Sequence, residues 1–94
     1  MQYRFNQAKY WERMRQGEFA AIVIDQHQPQ PEVAAKEPVG TVSQMVSYRD
    51  VDNNEVVRVH QYLRPDGTLA ASGRPDPKRL LENGVLYLLI KKPK

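Results

Sequence analysis

The chain contains no cysteine, so a disulfide framework, a Cys-ligated zinc or iron–sulfur site and a thiol nucleophile are all excluded. Only two histidines are present, which leaves little to hold a metal; no metal and no cofactor is expected. The absence of cysteine suits a reducing compartment. No apolar run exceeds six residues, whereas a membrane-spanning helix needs about 20. The opening residues Met1, Gln2, Tyr3, Arg4 and Phe5 lead into polar, charged sequence, without the basic start and apolar core of a secretory signal. A cytoplasmic location and no integral membrane contact are therefore expected. A P-loop, a G-x-G-x-x-G after a strand, a G-x-S-x-G elbow and an H-E-x-x-H helix are also missing, which disfavours the enzyme classes built on them.

What is present is a chain of 94 residues with 40% hydrophobic and 27% charged residues and a net charge of +3. Residues 1–94 make one small domain, because a chain this short buries only about 60–65% of its unfolded surface and supports a single thin core. The modest net charge conceals an uneven distribution. Residues 19–55 carry six acidic against two basic side chains, and residues 56–94 carry eight basic against three acidic. Arg58, Arg64, Arg74, Lys78, Arg79 and the terminal lysines can form a basic stripe attracting phosphate backbones, anionic surfaces or an acidic protein.

Residues 7–16 hold no Pro, Gly or β-branched residue and lie between Asn6 and Gly17, an N-cap and a C′ glycine for an N-terminal helix. Phe5 and Tyr10 then occupy the positions of a hydrophobic staple. Tyr10, Trp11 and Met14 face the core. Residues 19–25 are apolar and β-branched, which predicts a buried strand. Residues 27–38 are rich in Gln and Pro and are expected to form a mobile loop. In residues 40–63, two β-rich runs flank the turn formers of residues 50–55, which predicts a β-hairpin.

If the hairpin loop is either the pair Asn53 and Asn54 or the four residues 51–54, one face carries Val42, Gln44, Val46 and Tyr48 with Val57, Val59, Gln61 and Leu63. This is the natural core face, with Gln44 and Gln61 placed to bond one another. The sequence Arg64, Pro65, Asp66, Gly67 predicts a turn returning a short strand over residues 68–71. Asp76 followed by Pro77 predicts a short second helix that Gly84 terminates. Residues 85–90 show little alternation, which predicts a central strand buried on both faces, followed by a basic tail at residues 91–94. The expected fold class is α+β: a mainly antiparallel sheet of four to five strands, with the N-terminal helix on one face and the short second helix before the last strand.

The other hairpin face holds the candidate site. Alternation projects Arg58, His60, Tyr62 and Arg64 from one side, with Arg49 across the hairpin. Guanidiniums match phosphate oxygens, and aromatic faces accept bases of any sequence. A polar face is also what a half-exposed antiparallel sheet presents by default. The resulting expectation is a non-enzymatic binding or accessory module whose basic face engages nucleic acid or an acidic protein partner. An alternative is a metal-independent ribonuclease with His60 as general acid or base, Arg58 and Arg64 stabilising transition-state charge, and Tyr62 positioning the phosphate. A third reading is a structural or self-associating protein, a homo-oligomer through the apolar strand at residues 85–90. The oxygen donors of residues 50–55 lack the glycine and the glutamate of a calcium loop, and turn chemistry accounts for them.

Overall fold

The computed structural model describes residues 2–70, 73 and 75–88. In chain order the elements are α1 (Gln2–Gln7), α2 (Tyr10–Arg15), β1 (Ala20–His27), α3 (Pro31–Ala34), β2 (Val42–Arg49), β3 (Glu55–Leu63), β4 (Asp76–Glu82) and β5 (Val85–Leu88). The five strands form one sheet in the order β1-β2-β3-β4-β5, every neighbouring pair antiparallel. Among the described residues no helix is long and apolar enough to cross a membrane.

The N-terminal helix is broken where one continuous helix over residues 7–16 was expected. Lys9 takes a left-handed conformation, φ 56°, and Asn6 lies inside α1 instead of capping a helix. The break has a geometric reason. Five residues of unbroken helix rotate Tyr10 about 140° away from Phe5, yet both side chains are buried and their rings stack 6.0 Å apart. Rotating the chain at Lys9 lets both reach the core, so the predicted contact survives although the helix boundary does not. Gly17 ends α2 as the sequence predicts, at φ 78°. Its N–H donates to the Met14 carbonyl and that of Glu18 to the Arg13 carbonyl, both at 3.1 Å, the paired bonds of a Schellman cap.

Phe5, Tyr10 and Met14 meet Val46, Val57, Val59 and Leu80 in the core. The β2–β3 pairing matches Val42 with Leu63, Gln44 with Gln61, Val46 with Val59 and Tyr48 with Val57. This is the register of the four-residue loop. Past Tyr48 it shifts, so that Arg49 pairs with Glu55, Val56 is the extra residue of a bulge, and residues 50–54 form the loop. Asn53 is left-handed there, φ 65°, and Asp50 Oδ1 accepts the backbone N–H groups of Asp52 and Asn54 at 2.9 and 3.0 Å, an Asx turn. The predicted glutamine contact is present: Gln61 Nε2 donates to Gln44 Oε1 at 2.9 Å, and Gln44 Nε2 donates to Gln26 Oε1 at 2.7 Å.

Three expectations are corrected by the sheet. Residues 76–82 are a strand, β4, where a helix was expected. Asn83 and Gly84 both have positive φ, 52° and 75°, the pattern of a two-residue hairpin turn. That turn and the full burial of Leu80, paired with Val57, outweigh the local capping signal of Asp76. Pro77 sits at a register shift against β3, where a missing N–H is tolerated.

β5 and β1, both expected to be buried, are the two edges of the sheet, because a meander leaves its first and last strands with one neighbour each. Val23 is 50% exposed and Leu88 53%. The turn at residues 64–67 forms, with Gly67 at φ 88°. Only an isolated bridge, Leu63 to Leu69, follows within the described residues. Ala71, Arg74, residues 89–90 of the last predicted strand and the basic tail at 91–94 lie outside the described residues.

Candidate functional site

Alternation on β3 places Val57 and Val59 toward α1 and α2, and Arg58, His60 and Tyr62 on the opposite face, where Tyr62 lines a pocket with Glu32 and Val33 of α3. Across β2 these three are paired with Ser47, Met45 and Ser43, and across β4 Arg58 is paired with Arg79 and His60 with Asp76. Two guanidiniums directly opposite one another repel. Glu55 resolves the conflict. Its Oε2 accepts from Arg58 Nε at 3.1 Å and from Ser47 Oγ at 2.5 Å, while Arg79 Nε lies 3.3 Å from Oε1. Arg49 joins through Ser47, its Nε donating to Ser47 Oγ at 3.2 Å. Ser47 is fully buried beneath this cluster.

Burial pushes the Glu55 carboxyl up, but the hydrogen bonds from Ser47 and Arg58 and the charges of Arg58 and Arg79 outweigh it and hold the group below its usual 4.5. Glu55 was not a candidate from the sequence, because three residues of regular strand put it on the face opposite Arg58. The bulge at Val56 changes that parity. A residue-by-residue reading of alternation carries no signal for such a shift.

His60 Nε2 and Ser43 Oγ share a 2.8 Å hydrogen bond, and the imidazole packs edge to face on Tyr62 with ring centroids 4.7 Å apart. Burial first, then the charge of Lys78, lowers His60 below its ordinary 6.5, against the opposing pull of Asp76. Both effects favour the uncharged ring. A hydroxyl bonded to an imidazole is the beginning of a nucleophile–base pair. Ser43, however, is only 3% exposed, so the bond orients the ring and offers no hydroxyl to a substrate.

Arg64 stands apart from the cluster. It grips Glu37 with two prongs, Nε to Oε2 at 2.8 Å and Nη2 to Oε1 at 3.3 Å, and this bond holds the Glu37 carboxyl below its ordinary value. The pair fastens the segment after α3 to the end of β3. The structure thus joins Arg49, Arg58 and Arg79, sets His60 against Tyr62, and commits Arg64 to a neighbouring carboxylate. Among the described residues no three His, Asp or Glu side chains gather into a group fit to hold a metal ion.

A second concave feature lies on the helix side of the sheet. It is a cavity of about 490 Å³ whose lining includes Trp11, Arg15, Tyr48, Gln61, Leu63 and Thr68. The sequence assigned Trp11, Tyr48, Gln61 and Leu63 to the core side and placed none of the six in a cavity, since a core position and a cavity wall share the same alternation. No family model, no curated protein and no solved structure matches the chain.

Proposed function

We propose that this protein is a non-enzymatic binding module that holds the phosphate backbone of a nucleic acid on the sheet face turned away from α1 and α2. One observation carries the reading: Arg58 and Arg79, on adjacent strands, share the single carboxylate of Glu55, and Arg49 on the third strand is linked to it through the Ser47 hydroxyl. Two guanidiniums on one carboxylate leave a positive excess, to which Arg49 adds. Arg58 and Arg79 keep 37% and 40% of their side chains exposed, so both forks have donors free to reach phosphate oxygens. Tyr62 and His60, both half-buried, supply ring surface on the same face.

The test is binding of a labelled single-stranded RNA, followed by fluorescence anisotropy across a salt series. Arg58→Ala with Arg79→Ala should weaken binding at low salt by about tenfold or more. It should also flatten the salt slope by about 0.7 for each guanidinium removed. Unchanged affinity and slope in the double variant would reject the reading. Equal displacement by polyglutamate would point to an acidic protein partner. Cleavage of the RNA in EDTA that His60→Ala abolishes would make the face a ribonuclease site.

Self-association is favoured by a separate observation, the apolar character of both edge strands. Val85, Leu86 and Leu88 on β5 and Ile22, Val23 and Ile24 on β1 are exposed, beside backbone groups that have no partner strand on that side among the described residues. On this reading the sedimentation coefficient rises with protein concentration, and Val23→Lys on β1 reverses the rise. A monomer at every concentration tested would remove it.

A further inference from the structure

We propose that the cavity between α2 and the ends of β2 and β3 is a binding site for a planar ring with an amide-like donor–acceptor edge, the chemistry of a nucleobase. Its size, about 490 Å³, falls in the range of small-ligand sites. Two aromatic side chains, Trp11 and Tyr48, form part of its wall, and flat rings take a flat ligand by stacking.

The polar groups decide the class of ring. Gln61 lines the cavity and sits at one end of a row of three carboxamides, in which each Nε2 donates to the Oε1 of the next. One N–H of Gln61 is spent on Gln44. Among the described residues no side chain donates to its Oε1, so the amide keeps an acceptor and a second N–H for a ligand. Such a row polarises along its length, which strengthens the terminal carbonyl as an acceptor.

Tyr48 adds a second argument. Burial of the half-exposed ring raises its pKa above the ordinary 10.0, and its hydroxyl has no protein partner among the described residues, so it is open to a ligand. Both unspent groups belong to residues that line one cavity. The Gln61 carboxamide, which offers both an acceptor and an N–H, and the Tyr48 phenol in a lining that includes Trp11 suit a flat base with polar edges and leave an aliphatic or purely anionic ligand unrecognised. Arg15, also in the lining, supplies a cation for a phosphate attached to the ring.

This site lies on the opposite face of the sheet from Arg58 and Arg79, so it stands or falls apart from the backbone-binding reading. Trp11 is the only tryptophan in the chain, which makes its fluorescence a direct report. The experiment titrates the full chain with each of the four nucleoside 5′-monophosphates and with the corresponding nucleosides. At least one base should quench Trp11 saturably, and Gln61→Ala should weaken that binding about tenfold. Tyr48→Phe, which removes only a hydroxyl, should weaken it several-fold in a protein whose unfolding midpoint is unchanged. Arg15→Ala should erase the preference for the monophosphate over the nucleoside, and Arg58→Ala with Arg79→Ala should leave the titration as it was. The proposal is overturned if no base gives a saturable change, or if Gln61→Ala and Tyr48→Phe both bind as the parent does.

Discussion

Replacing Phe5 with alanine destabilises the domain by about 3–5 kcal/mol, the cost of deleting a fully buried aromatic side chain and leaving a cavity. For a domain whose total stability is of the order of 5–15 kcal/mol, that is a large fraction. Phe5 is buried to 1% exposure and stacks on Tyr10 in the cluster that closes over Val46, Val57, Val59 and Leu80. Among the described side chains it is also the one buried residue that α1 gives to the core. The prediction therefore tests whether α1 docks at all. Urea unfolding followed by Trp11 fluorescence measures it, with Tyr3→Ala as the companion because Tyr3 is exposed on the same short helix. Tyr3→Ala should shift stability by no more than about 0.5 kcal/mol. A Phe5→Ala loss as small as that would mean that α1 contributes nothing to the core.

The second large effect is expected at Glu55. Glu55→Gln keeps the shape of the side chain but removes the charge that separates Arg58 from Arg79, at a cost of about 2–3 kcal/mol near neutral pH. The dependence on pH follows from the lowered carboxyl. A group that is harder to protonate in the folded state than in the unfolded chain contributes stability that is fully present above its usual 4.5 and lost as pH falls through its lower folded value. Glu37 and Asp66 are lowered as well, but they are common to both proteins. The stability gap between parent and Glu55→Gln should therefore be widest at neutral pH and should close in acid. A constant gap down the whole pH series would show that the carboxylate charge is not what the arginines need.

The same substitution separates stability from binding. Removing the one anion in the arginine cluster should tighten the grip on a polyanion while weakening the fold. An ordinary structural defect moves both in the same direction.

The hairpin faces were legible from the sequence because they depend on alternation within a strand and on the chemistry of one turn. Val57, Val59 and Val46 lie where period two puts them, and Gln44 meets Gln61 because both readings of the loop preserved the faces. Gly17 was legible for a similar reason, since a helix stop is written in one residue. The segment at 76–82 was misread because two local signals competed there. Asp76 and Pro77 spell a helix start, while Asn83 and Gly84 spell a hairpin, and only the burial of Leu80 against β3 decides between them. Arg58, His60 and Tyr62 share the face that alternation predicts, whereas Glu55, the group that holds Arg58 and Arg79, has no signal in the sequence.

The sequence by itself determined the absences, the α+β class, the hairpin and the side of β3 on which Arg58 stands. These follow from composition and from backbone geometry that repeats every two residues. The tertiary structure alone decided that residues 20–27 and 85–88 are edges, that Arg79 faces Arg58, and that Glu55 joins them. Strand order and cross-strand pairing are set by hydrogen bonds between segments distant in the chain. One extra residue, Val56, reverses the parity on which alternation depends.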